Sequence, residues 1–484
     1  MRRIDQLTFT RFLAALIVVF SHSGAVFPVN AFPFNPLLTA GQTAVSYFFV
    51  LSGFVMAIVY YRPGERFDVL SYWKARFTRL YPVYIFAFLI TCLFYIDIMA
   101  NVKTNKILAN VFLVQAWFPQ YAESFNIAAW SLSVEVLFYA LFPFLAMLTY
   151  RLSTRSVIWL SLAVWVVSQI LHLGLYHGWN ASFPRHFIDF YPPVHLSTFM
   201  LGLAGGAWYL TDGEKHDTDW RANWFWILVS LLFVGAALIA RETGDFVERT
   251  FSLDAGLLAP FFLIVILCLA TDKTALAARL SHPRLVLLGD ASYALYILHL
   301  PVRWIGERWA AAGGLPNSIF IYLYWLLIVI LSVVVFVRIE RPARDWLRQN
   351  FAVTRLMLVD SAIIIGGIYI ANALRFGGNS PREYEQSVRF MARLGLITYL
   401  AALSTWRLYD ASRRALPPHR MLIPVLAASG AGAAVLAAGM VLATSSAWII
   451  GYPRSVILVS AMLIAALTFG VRAATPHFSR KTTP

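Results

Sequence analysis

The sequence is poor in charge: 13% of its 484 residues are Asp, Glu, Lys or Arg, against 60% that are hydrophobic. That balance excludes a soluble domain, whose charged share runs near a quarter. Cysteine is almost absent, and Cys92 and Cys268 both fall in apolar stretches, so no disulfide framework is expected. No glycine-rich phosphate loop follows a strand-like run. His172, His177, His186 and His195 match no compact ligand spacing and have no cysteine beside them, so no metal is expected. Acidic residues are scarce too, 24 against 39 Lys and Arg. In a soluble protein that excess would suggest nucleic acid. Here it reflects topology, because Lys and Arg gather on the cytoplasmic side of membrane proteins, and no nucleic-acid partner is expected.

What the chain has in abundance is hydrocarbon, with a mean hydropathy of +0.67. Apolar stretches long enough to cross a bilayer fall at 9–28, 41–61, 78–99, 127–149, 156–176, 192–211, 223–240, 255–271, 289–309 and 317–337. Four more follow at 355–374, 392–411, 421–446 and 453–472. The stretch 107–118 is too short to span. The first run lacks a small-residue cleavage site and is read as a retained helix. With the N-terminus inside, Lys and Arg are about twice as frequent in cytoplasmic as in outer segments. The sequence therefore predicts an all-α polytopic membrane protein with both termini cytoplasmic. Ten helices would lie in residues 1–348 and four in 349–484, divided at the basic segment 338–355. The long outer loop 100–126, with Trp117, Phe118 and Tyr121, either shapes an outer mouth or forms an aromatic interface belt.

Polar residues inside such helices carry the functional signal, because hydrocarbon penalises them. Arg11 and His22 are eleven residues apart, which places them on one helical stripe about 16 Å apart along the axis. Glu135, in AAWSLSVEVLFY, falls at a depth comparable with His22. A carboxylate at that level can orient an imidazole and balance its charge, although a structural ion pair between helices uses the same residues. Arg76 and Arg79, three residues apart, face one way at the predicted cytoplasmic mouth of the third helix. Their rigid donors suit phosphate, and a topology signal is the simpler alternative. Ser292, Tyr296 and His299 form one polar stripe on the ninth helix, facing either protein or a water-filled path. Together these residues fit a phosphate-bearing donor held at Arg11, Arg76 and Arg79 whose thin arm reaches towards His22. Coenzyme A has that shape. His22 would then serve as general base or transient acyl carrier. The competing readings are a transporter or flippase of a lipid-linked glycan, using the same residues as a proton or substrate path, and a non-catalytic scaffold.

The segments RIDQLTFTRFLAALIVVFSHS, AVSYFFVLSGFVM, RFTRLYPVY, WSLSVEVLFY, SYALYILHLP and IERPAR, in that order, resemble the integral-membrane acyltransferase-3 family of bacteria over about residues 1–348. The resemblance implies O-acylation, usually O-acetylation, of extracytoplasmic glycans or glycolipids in the bacterial inner membrane, with acetyl-CoA as donor. It assigns the family's essential histidine and arginine to His22 and Arg11 and its paired arginines to Arg76 and Arg79. Trp130 and Ser133 stand in the matching WSLSVEV segment as supporting residues. The last four helices, including VDSAIIIGGIYIANALRF, resemble the membrane part of polysaccharide sugar-nucleotide epimerases and dehydratases. That likeness favours a surface polysaccharide or lipid-linked oligosaccharide as acceptor, and polysaccharide-assembly proteins as partners.

Overall fold

The computed structural model describes residues 3–23, 35–36, 40–60, 67–94, 102–178, 186–213, 220–243, 253–378, 381–414, 416–445, 449 and 451–474. Among them the chain is helical and forms two compact units, Met1–Trp346 and Leu347–Pro484. The first unit holds ten long helices: α1 Asp5–Ser21, α2 Gly41–Tyr60, α3 Val69–Phe94, α4 Trp130–Thr149, α5 Thr154–Gly178, α6 Leu196–Thr211, α7 Trp220–Thr243, α8 Ala259–Thr271, α9 Ser292–Ala312 and α10 Asn317–Val335. The second holds four: α11 Phe351–Phe376, α12 Arg382–Thr405, α13 Pro418–Ser445 and α14 Arg454–Ala474. Each expected apolar stretch thus contributes a helix. Eight helices among the described residues are long and apolar enough to cross a membrane, nine if a bent pair is counted. Others fall short for plain reasons: α1 has 17 residues, α6 has 16 and α8 has 13.

Several boundaries differ from the sequence reading. Helix α1 stops at Ser21, with His22 as its C-terminal cap, and residues 24–28 of the expected span lie outside the described residues. Helix α3 begins at Val69 rather than 78, so Arg76 and Arg79 sit about two turns inside it and not at its mouth. The ninth stretch is broken: Pro283–Asp290 forms its own helix, bent 52° from α9. The basic segment 338–355 is no loop. A π-turn at Phe336–Glu340 carries α10 on to Gln349, and Pro342, which has no N–H to give the carbonyl one turn back, explains the altered register. The first part of the basic loop after α2, residues 61–66, lies outside the described residues.

Side-chain size decides which helices lie closest. A Cβ added at Gly202 of α6 would come within 1.9 Å of the Val50 carbonyl oxygen on α2, and one at Gly53 within 2.0 Å of the Phe199 carbonyl oxygen. Only glycine at both points lets these backbones touch, the contact on which membrane helices rely when lipid supplies no hydrophobic drive. Around this pair, Phe49, Phe138, Phe142, Phe199 and Tyr72 pack edge to face and stacked, fully buried. The second unit has its own core of Ile364, Met391, Tyr399, Leu436 and Ile464. Inside it Asp360 of α11 and Arg472 of α14 form a bidentate pair, with both bonds 2.8 Å long.

Candidate active site

Prolines inside two helices of the first unit, α4 and α9, shape the site by freeing backbone acceptors. Pro143 of α4 cannot donate to Tyr139, and the Trp73 indole N–H of α3 donates to that carbonyl instead, at 3.0 Å. Pro301 of α9 likewise releases the Ile297 carbonyl, and the Asn126 side-chain amide fills it at 2.8 Å. Asn126 also caps Ile127–Ala129, accepting from the Ala128 N–H. The loop before α4 is thereby tied to α9 at the level where His299 sits.

Three adjoining cavities run through this framework. The first is lined by Arg11, Arg76, Arg79, Glu135, Tyr139 and Tyr293, among others. The second shares Arg11, Phe48, Glu135 and Tyr293 with it and adds Ser131, Ser292 and Tyr296. The third shares Val45 and Tyr296 with the second and opens on Ser21, His22, Gln42, Glu123, Trp130 and Phe190. Their volumes are about 60, 40 and 230 Å³, so of the three the middle cavity is the smallest and the one beside His22 the largest.

At the arginine end the three guanidinium groups are held differently. Arg76, 7% exposed, donates to the Tyr60 hydroxyl at 2.8 Å and lies over the rings of Tyr60, Tyr72 and Tyr139 at 5.3–5.9 Å. Arg11 and Arg79 make no hydrogen bond or ion pair with another described residue. Arg11 and Arg79 are partly exposed on one cavity wall, where they offer donors to an anion. Glu135 faces the same cavity, with its carboxylate accepting from the Tyr139 hydroxyl at 3.1 Å.

At the other end, His22 and Glu135 do not meet. They line different cavities, and the partner of His22 is His299, whose Nε2 lies 3.1 Å from His22 Nδ1. The sequence reading set the two residues at one level, but Glu135 shares its cavities with Arg11, eleven residues from His22 along α1, and so stands with the arginines. The polar stripe of α9 also divides. Ser292 and Tyr296 line the middle cavity, where Tyr296 shares a hydrogen bond with Ser131 at 2.8 Å, while His299 is fully buried behind His22. Trp130 walls the His22 cavity. Ser133 lines none of the three cavities, accepting from the Ala116 N–H at 3.4 Å, and Ser131 lines the middle one.

The loop before α4 contributes Glu123 to the His22 cavity, whereas Trp117 packs on Tyr191 and Phe118 on Tyr121. Sequence reasoning missed Gln42, Glu123, Tyr139 and Tyr293. Only Tyr139, one turn beyond Glu135, carried a signal, through its i+4 spacing. Glu340 was missed as well: it is buried, 3% exposed. Of the four histidines set aside for metal, His195 is buried against Trp130 and Phe49 and its Nε2–H donates to the Asp189 carbonyl, and His172 is buried too. The side chains of His177 and His186 lie outside the described residues.

Comparison with known proteins identifies the family. The chain is 28% identical to the acyltransferase MdmB of Streptomyces mycarofaciens over 330 residues, covering 63% of this chain and 80% of that protein. It is 26% identical to the O-acetyltransferase OatA of Staphylococcus aureus over 375 residues, covering 69% of this chain and 60% of OatA. No solved structure matches it. The model of the acyltransferase-3 family, an acyltransferase domain, matches residues 4–339, which leaves α11 to α14 outside it. A match over more than half of its length, across the helices that carry Arg11, His22, Arg76, Arg79, Glu135 and His299, makes this chain a member of the acyltransferase-3 family.

Proposed function

We propose that the protein transfers an acyl group, in the first instance acetyl, from cytoplasmic acyl-CoA to a hydroxyl of an extracytoplasmic surface polysaccharide or glycolipid. The observation that carries this reading is the row of adjoining cavities lined at one end by Arg11 and Arg79, which make no hydrogen bond or ion pair among the described residues, and at the other by His22. Arg11 and Arg79 would take the donor's phosphates, and Arg76, already held by Tyr60, would shape the wall beside them. A thin arm suits the small middle cavity, and the largest cavity suits a sugar, with Trp130 and Phe190 as apolar faces.

In the reaction, His22 Nε2 takes the proton of the acceptor hydroxyl as its oxygen forms a bond to the thioester carbonyl carbon. The carbon–sulfur bond then breaks, and the proton passes to the departing thiolate, leaving an ester and free coenzyme A. The O-acetyltransferase name of the staphylococcal relative supports the acetyl group and the hydroxyl acceptor. The resemblance of α11 to α14 to polysaccharide-synthesis proteins supports a glycan held in an assembly complex.

Mass spectrometry of surface polysaccharide from cells with and without the protein tests the proposal. A loss of one acetyl mass per repeat is expected, together with its return on complementation and its continued absence with His22→Ala. A glycan that is missing rather than unmodified would replace transfer with transport. Full acetylation by His22→Ala would remove His22 from the mechanism. Arg79→Gln is expected to weaken coenzyme A binding by at least tenfold, and an unchanged affinity would return Arg79 to topology.

A further inference from the structure

The partner of His22 restricts where its proton can be. His22 Nδ1 lies 3.0 Å from the Val18 carbonyl oxygen, one turn back in its own helix, and 3.1 Å from His299 Nε2. A carbonyl can only accept, so His22 Nδ1 must carry hydrogen. On the far side, His299 Nδ1 is 2.6 Å from the Tyr296 carbonyl oxygen, so it carries hydrogen as well. His299 Nε2 then faces a donor, and it must present its lone pair. His299 is therefore neutral, and donation runs one way, from His22 Nδ1–H, shared between the Val18 carbonyl and His299 Nε2, and from His299 Nδ1–H to the Tyr296 carbonyl. In the neutral His22 ring the lone pair then sits on Nε2, which has no protein partner among the described residues, in the wall of the largest of the three cavities.

We infer that His299 is the positioning residue that fixes His22 in its Nδ1–H tautomer, making His22 Nε2 the proton acceptor of the reaction. This rests on the reading of His22 as base. It gives His299 the part that an orienting carboxylate plays in other imidazole bases, filled here by a second neutral imidazole. The Val18 carbonyl alone would hold the tautomer loosely, because it also accepts the His22 backbone N–H at 3.2 Å. His299 is itself locked: it is fully buried, and its carbonyl accepts from the Tyr324 hydroxyl at 2.9 Å. Asn126 secures the same turn through the Ile297 carbonyl. An uncharged partner also avoids placing a second carboxylate beside a cavity already edged by Glu123.

Nitrogen NMR of the full-length protein in lipid nanodiscs, with 15N-labelled histidine, tests the tautomer without any assay of activity. The chain has ten histidines, and the His22 signals are those lost in His22→Gln. In the wild type, His22 is expected to show a protonated Nδ1 and a bare Nε2. In His299→Leu, a signal from protonated Nε2 should appear, and acetyl transfer should fall by about 100-fold, within the range a general base contributes. His299→Gln, whose amide can accept from His22 and donate to Tyr296, should restore both to within about tenfold. A wild-type His22 protonated at Nε2 overturns the inference. So does a slow His299→Leu enzyme whose tautomer has not changed, since that would make His299 merely structural. Full activity in His22→Ala would instead sink the functional reading while leaving the tautomer result standing.

Discussion

The Asn126 side-chain amide donates to the Ile297 carbonyl, the acceptor that Pro301 leaves without its helical partner. A loop residue thus completes a break in α9 two residues before His299. Removing the amide strands a buried carbonyl, which costs about 1–3 kcal/mol. Asn126→Ala is therefore expected to lower thermal stability in detergent and to slow transfer through His299. Pro301→Ala restores an N–H in the right place. The cost of Asn126→Ala should therefore be smaller in a Pro301→Ala background, and a double-mutant cycle with no coupling would separate the two residues.

Glu135 lies with the arginines and not with His22, and this separates two roles for it. Glu135→Gln keeps an acceptor for the Tyr139 hydroxyl and removes one negative charge facing Arg11 and Arg79. Coenzyme A affinity is expected to hold or rise, because the anion then meets a more positive wall. The His22 nitrogen signals should not move. A change in the His22 tautomer in this variant would restore the direct pairing that the sequence suggested.

The sequence displayed the residues of this site well and their pairing poorly. Arg11, His22, Arg76 and Arg79 stand out because hydrocarbon makes any ionisable residue conspicuous, and fixed helical spacing places two of them on one stripe. Depth along an axis follows from residue number, whereas the direction a helix turns about that axis depends on its neighbours. Where Glu135 stands against His22 depends on how α4 is set beside α1: it shares a cavity with Arg11, eleven residues back along α1, and no spacing within one helix reveals that. Gln42 and Glu123 were hidden for another reason. Both lie near helix or loop ends, where polar residues are ordinary. The glycines that decide which helices touch, Gly53 and Gly202, are two among 27 and become meaningful only once α2 and α6 are seen together.

That helix contact gives a sharper test of the fold than any apolar substitution. At Gly202, a methyl group would sit 1.9 Å from the Val50 carbonyl oxygen, and backbone cannot yield as a flexible side chain does. Gly202→Ala should separate α2 from α6 and reduce accumulation in the membrane several-fold. On α7, a Cβ at Gly235 meets nothing within 4 Å, so Gly235→Ala should be neutral or stabilising by up to about 1 kcal/mol. Equal behaviour of the two variants in a membrane-fraction blot and a thermal melt would remove the close contact as a determinant of folding.

The second unit carries its own test in Asp360 and Arg472, which are 0% and 1% exposed and joined by two 2.8 Å bonds, with the Tyr409 hydroxyl donating to the same carboxylate at 2.8 Å. Leaving either charge alone in that core costs about 3–5 kcal/mol, while replacing both by apolar residues of similar size costs far less. Arg472→Leu and Asp360→Leu should each lower stability sharply, and the double variant should recover most of the loss. Melting curves of the full chain in detergent read this directly. If the double variant stays as stable as the wild type but surface acetylation falls, the pair acts in function; if acetylation is unchanged, it serves only to hold α11 against α14. A double variant no better than the singles would show that Tyr409 and the surrounding polar residues, rather than the ion pair, set the register of these helices.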